Sequence, residues 1–342
     1  LPLLLLETLP LVLQETRHDQ GPGRNRSKAL KLPPTAMSRE PSAPPFFYQV
    51  FGLGVRSHIP CPELTPAPAG EDVSILCGEV PGSLANPILT VGPVEASQDE
   101  FLLNIPDLAR FHVTGGNRIV LQTSPGASEA SIRLFLFGSV FGALLYQRDM
   151  VPIHAAAIEH QGEAVLFAGP SGVGKSTLVG ALSRRGKAVV ADDLCAVDTR
   201  RAHRPTLLPG IHLLKLREDS VEKIGGRADT VCWVGNGKRR YEISTEGERS
   251  SPGPLPLARV YELTPHDRGD FGLIPLQGTA KMQSLLRNCY RPSLLRALGR
   301  RHLHFQQLAL VAQNTPVLQA RRPTTGFRLE ELVEGILGDL QA

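Results

Sequence analysis

Ala164-Val165-Leu166-Phe167-Ala168-Gly169-Pro170-Ser171-Gly172-Val173-Gly174-Lys175-Ser176-Thr177 is the stretch on which this chain of 342 residues turns. Five apolar residues make a short buried strand, and Gly169 to Ser176 then match G-x-x-x-x-G-K-[ST] at every fixed position. Thr177 to Arg185 continue as a helix that Gly186 ends. The glycines let the backbone fold around phosphate oxygens and aim N–H groups inward, and the helix adds its positive N-terminal end. In this pattern Lys175 reaches the β- and γ-phosphates, and the Ser176 hydroxyl joins a Mg²⁺ shell. A Gly-rich turn can match by chance. A strand directly before it and a helix directly after it are the context that makes it a triphosphate cradle. The expected ligands are therefore ATP and Mg²⁺, with Gly169 to Thr177 as the nucleotide-binding stretch.

Lys187 to Ala191 is the next buried strand, completing a strand–loop–helix–strand unit of α/β type. Asp192 and Asp193 end it. Adjacent strand residues point to opposite sides, so one carboxylate can face a metal and the other an incoming hydroxyl. Phosphoryl transfer needs both roles. An isolated Asp-Asp pair is more often a solvated turn or a cap, but this one shares an α/β unit with the P-loop. His154, in Val151-Pro152-Ile153-His154-Ala155-Ala156, precedes the P-loop strand; a lone His in an apolar stretch is more often a core residue than an acid or base. Lys238, in Gly235-Asn236-Gly237-Lys238-Arg239-Arg240, is either an exposed basic hairpin tip or the cation of a loop that closes on the transferring phosphate.

The rest of the chain sets bounds. A 42% hydrophobic fraction is that of a globular protein. A net charge of +4, with the basic residues dispersed, does not point to nucleic acid. The five cysteines are scattered, odd in number and without a CxxC pair, which fits a reducing cytosol and argues against a disulfide framework or zinc site. Residues 1–45 read as a disordered extension, Leu1 to Leu13 being a poor signal peptide, and Met37 marks an expected start. Residues 46–148 read as a small β-rich module ending in a helix, with a hairpin about Gly115-Gly116-Asn117. Leu134 to Tyr146 is apolar but short for a bilayer span, so it reads as a buried helix and no membrane is expected. Residues 149–342 hold the P-loop domain, with helices expected at Thr279–Tyr290, Arg301–Gln313 and Leu329–Leu340, and a strand at Pro316–Ala320.

His154, the P-loop and Ala191-Asp192-Asp193 fall in the order and spacing of the HPr kinase/phosphorylase catalytic domain. The chain resembles most the HPr-kinase-like branch that includes lasso-peptide precursor kinases. The resemblance extends to Tyr48-Gln49-Val50-Phe51-Gly52-Leu53, Leu145-Tyr146-Gln147-Arg148, Gly237-Lys238-Arg239 and Pro316-Val317-Leu318. It departs from HPr kinases at Thr177, where an acidic residue is usual. The resemblance implies a P-loop kinase core shared with phosphoenolpyruvate carboxykinase, preceded by the β-rich module. It implies an ATP- and Mg²⁺-dependent kinase acting on a serine of a peptide or protein, in a homo-oligomer. It gives Asp192 the role of general base, with His154 beside it, and Asp193 and Ser176 the metal. Two alternatives remain: a small-molecule or carboxykinase-like phosphotransferase, and a nucleotide-binding regulator that does not turn over.

Overall fold

The computed structural model describes residues 44–200, 204–211, 214–217, 229–235, 238–242, 253–267, 271–323 and 328–341. Residues 1–43, almost all of the expected N-terminal extension, lie outside the described residues.

The N-terminal strands are β1 (Phe46–Val50), β2 (Leu53–Ser57), β3 (Thr65–Pro66), β4 (Val73–Cys77), β5 (Leu89–Val91), β6 (Val94–Ala96), β7 (Glu100–Ile105), β8 (Ala109–Thr114) and β9 (Arg118–Thr123). They form one mixed sheet in the order β3-β1-β2-β4-β9-β8-β7-β6-β5. Pairing is antiparallel except at β2–β4 and β4–β9, which are parallel. The expected hairpin is β8–β9, with Phe111 opposite Leu121 and Val113 opposite Ile119. These four are buried, whereas His112 and Val120 face away in the period-2 pattern of a strand, Val120 packing against a small cluster of Val80, Leu84 and Leu102 on the other face.

Helix α1 (Glu129–Gln147) covers the face of Phe111 and Leu121. Ser128 caps it by accepting from the Ser131 N–H at 3.4 Å, and a π-helical stretch, Leu136–Val140, interrupts it. By length and composition α1 could cross a membrane, but 72% of its apolar window is buried inside the protein. Its core cluster also takes in Leu194, Ala196, Leu208 and Ile211 from the second half of the chain.

That half is built on a second mixed sheet. Its strands are β10 (Val151–Ile153), β11 (Ala155–His160), β12 (Glu163–Ala168), β13 (Val189–Ala191), β14 (Cys195–Asp198) and β15 (Thr206–Leu208). After β16 (Leu214–Arg217), β17 (Asp229–Gly235) and β18 (Lys238–Glu242), which form a separate three-stranded sheet, come β19 (Leu255–His266), β20 (Gly272–Pro275) and β21 (Val317–Pro323). The order is β10-β14-β15-β19-β12-β11-β13, with β21 paired to both β19 and β20.

The central strands are apolar on both sides because both faces are covered. Ala156, Ile158, Val165 and Phe167 pack with helices α2 (Lys175–Arg184) and, near the C-terminus, Leu329–Gln341. Ala155, Ala157, Ala164 and Leu166 pack with α3 (Gly278–Arg287) and, beyond α4 (Leu294–Ala297), with α5 (Arg301–Asn314). The last helix, Leu329–Gln341, is α6. The molecule is thus mixed α/β, with two large mixed sheets and helices on both faces of the second.

Candidate active site

Strand β12 runs parallel to β19, and β11 pairs antiparallel with both β12 and β13. β12 and β13 therefore point the same way, and the loops that follow them open at one edge of the sheet. The first loop is Gly169 to Gly174. Gly169 sits at φ 139, and a Cβ there would lie 2.8 Å from the Leu263 carbonyl oxygen on the neighbouring strand. No other residue fits the exit of the strand. Helix α2 has no side-chain cap at Gly174, so its first-turn N–H groups are left for an anion.

Lys175 is only 6% exposed. Its ammonium donates to the Gly169 and Pro170 carbonyls at 2.8 and 3.1 Å, and lies 3.0 Å from His154 Nε2. Beside it the Ser176 hydroxyl donates to Asp192 Oδ1 at 2.9 Å. Asp192 is buried, and its N–H is held by the Ile211 carbonyl at 3.2 Å.

The aspartates differ from expectation in one respect. β13 stops at Ala191, so neither lies in the strand, and strand alternation does not separate them. Asp193 instead enters the left-handed region at φ 72, which Asp tolerates better than most residues. That turn sends it to His154: Nδ1 lies 3.0 Å from the Asp193 carbonyl oxygen and 3.3 Å from Oδ1. An imidazole with its proton on Nδ1 donates to Asp193 and accepts from Lys175 at Nε2, so one tautomer satisfies both contacts. The structure thus brings together His154, Gly169 to Thr177, Asp192 and Asp193. Lys238 opens β18, but its side chain and residues 236–237 lie outside the described residues.

Further residues at this edge carry no sequence signal. His154 lies between β10 and β11, and its N–H donates to the Asn288 carbonyl at 2.7 Å. Asn288 Nδ2 in turn donates to Glu262 Oε1 at 3.0 Å, and Arg287 donates to both Glu262 oxygens. Glu262 is buried, one strand over from Ala168. Tyr290 and Arg291 follow on the same segment. Pairing between segments far apart in the chain places Glu262, Asn288 and Tyr290, and no local pattern marks it.

Cys195 also lies nearby, buried, with its thiol donating to the Ala155 carbonyl at 3.3 Å. Burial, and then the charges of Asp192 and Asp193, push the thiol well up, so it stays protonated and is no nucleophile. Among the described residues no group of three or more His, Cys, Asp or Glu side chains could hold a metal. The Ser176 hydroxyl and the Asp192 carboxylate are nonetheless hard oxygen donors, and they fit Mg²⁺ held largely by phosphate oxygens and water.

No family model matches the chain, and no curated protein matches it. Among solved structures, the Hpr(Ser) kinase/phosphatase from Coxiella burnetii is similar over 56% of this chain and 90% of that chain, with a TM-score of 0.30 and 12% identity.

Proposed function

We propose that this chain is a cytosolic ATP- and Mg²⁺-dependent kinase of the HPr-kinase-like type, which transfers a γ-phosphate to a serine hydroxyl of a peptide or protein. One observation carries this best: the P-loop serine is hydrogen-bonded to the first of two aspartates at 2.9 Å, while the second aspartate meets a histidine at the same edge.

The chain's own groups divide the work. The Gly169–Gly174 backbone and the N-terminus of α2 bind phosphate oxygens, and Lys175 swings from its carbonyls and His154 to the β- and γ-phosphates. Mg²⁺, when bound, neutralises charge on those phosphates. Ser176 and Asp192 hold the metal side, and Lys238 is a further cation for the transferring group. Asp193, oriented by His154, takes the proton of the acceptor serine as its oxygen bonds to the γ-phosphorus and the bond to ADP breaks. This division of the aspartates is the reverse of the one the family resemblance implies. It is favoured by the Ser176–Asp192 contact, because a carboxylate bound to the P-loop serine stands where the metal shell lies.

The test is incubation with γ-labelled ATP, Mg²⁺ and peptides encoded beside this gene. Label on phosphoserine supports the proposal. Label on a small molecule favours the carboxykinase-like alternative, and tight ATP binding without any transfer favours a regulator.

A further inference from the structure

Beyond His154, a second set of contacts leads away from the P-loop. Residues 288–290 run along β10: Ile153 bridges Cys289, and the Tyr290 N–H donates to the Pro152 carbonyl at 2.9 Å. The Tyr146 hydroxyl donates to the Tyr290 carbonyl at 2.7 Å. The Tyr290 ring is thereby held 6.0 Å from the His154 ring, tilted by 57°. Helix α1 is shaped to receive it: a Cβ on Gly142 would lie 2.8 Å from the ring, and one on Gly138 3.0 Å from its hydroxyl. Burial, and then Asp193, push the phenol up to about 12, so the ring is a neutral wall.

On this wall lies Arg291, its guanidinium carbon 5.7 Å from the ring centroid, within cation–π range. The Arg291 backbone is at φ 47, where non-glycine residues are uncommon. Pro292 follows and further restricts it. Glycine would sit there with less strain, and a strained residue at the rim of a site points to a use for its side chain.

The geometry points to Arg291 as an acceptor-side anion-binding residue, positioned by Tyr290, and to an acceptor whose hydroxyl is flanked by carboxylates. This rests on the kinase function proposed above. Lys175 and α2 already serve the phosphates, and the contacts run Lys175 to His154 to Tyr290 to Arg291, so Arg291 belongs to the far side of His154. An acidic acceptor approaching Asp192 and Asp193 meets like charge, which an arginine there offsets. Its planar fork matches a carboxylate in bidentate geometry.

Two fluorescent serine peptides of equal length serve as probes, one with Asp and Glu flanks and one with Ala. Both are titrated into the full chain with Mg²⁺ and a non-hydrolysable ATP analogue. The wild type binds the acidic peptide about tenfold tighter or more, as a charge-assisted bidentate contact implies. In Arg291→Gly the preference falls to within about twofold. Its melting temperature stays level or rises and its analogue affinity is unchanged; Arg291→Lys is intermediate. No preference in the wild type, no binding of either peptide, or a preference that survives Arg291→Gly overturns the proposal. Transfer is not read in this experiment. Absence of phosphoserine in the separate turnover assay therefore refutes the kinase without moving the binding result.

Discussion

Replacing Lys175 with Met keeps the length of a side chain that is only 6% exposed and removes its ammonium. In the wild type, ATP at about 100 times its Kd stabilises the fold by about 2.7 kcal/mol. With unfolding entropy of about 2.1 cal/mol/K per residue over roughly 300 folded residues, that is a rise of about 4 °C in Tm. Lys175 spends its ammonium on two carbonyls and an imidazole at 2.8 to 3.1 Å, partners that the proposed function has it exchange for phosphate oxygens. Losing such charge-assisted bonds costs about 3 kcal/mol, or roughly 100-fold in affinity. The same ATP concentration then sits near Kd, and the stabilisation falls to about 0.4 kcal/mol, under about 1 °C. Differential scanning fluorimetry of both proteins, with and without Mg-ATP, reads this directly. Ligand-free melting is recorded alongside, since the variant also leaves the Gly169 and Pro170 carbonyls short of a donor. A variant that keeps a shift near that of the wild type would refute the cradle geometry.

Asp193→Asn keeps the ATP-dependent shift but loses transfer by about 10²- to 10⁴-fold, as removal of a general base does; Asp192→Asn chiefly alters the Mg²⁺ requirement, and near-normal turnover of Asp193→Asn in steady-state kinetics would return the base role to Asp192. Tyr146→Phe leaves the buried Tyr290 carbonyl without its donor and lowers stability by about 1 to 2 kcal/mol in urea titrations. His304, 3.2 Å from Cys289 Sγ, has its folded pKa lowered by burial from 6.5 to about 4. The unfolded chain binds its proton first, so stability is full above about pH 6.5 and is lost as pH falls toward 4. The loss is on the order of 3 kcal/mol, and His304→Leu flattens that part of the stability–pH curve.

The strand–loop–helix unit was legible in the sequence because every determinant is local. An apolar run, fixed glycines and a helix start lie within Ala164–Arg184, and strand and helix form on either side of them. Gly186, the expected helix stop, lies two residues past the end at φ 80. The buried character of α1 was readable from its composition, but its π-helical stretch was not, since no residue type marks one. The aspartate pair was found, yet a left-handed backbone at Asp193, rather than strand alternation, sets its carboxylates apart. In the N-terminal module the β8–β9 hairpin was visible from its turn. The parallel pairings of β2 with β4 and of β4 with β9 were not, because register between distant strands has no local code. The same holds for Glu262, Asn288 and Tyr290, which reach the site by pairing with segments far away in the chain.

The most direct test of the kinase account is mass spectrometry of a candidate serine peptide after incubation with ATP, Mg²⁺ and either the wild type or Lys175→Met. The account predicts one phosphoryl group on a serine with the wild type and none with the variant. An unmodified peptide beside a wild type that binds and hydrolyses ATP, or equal modification by both proteins, would contradict it.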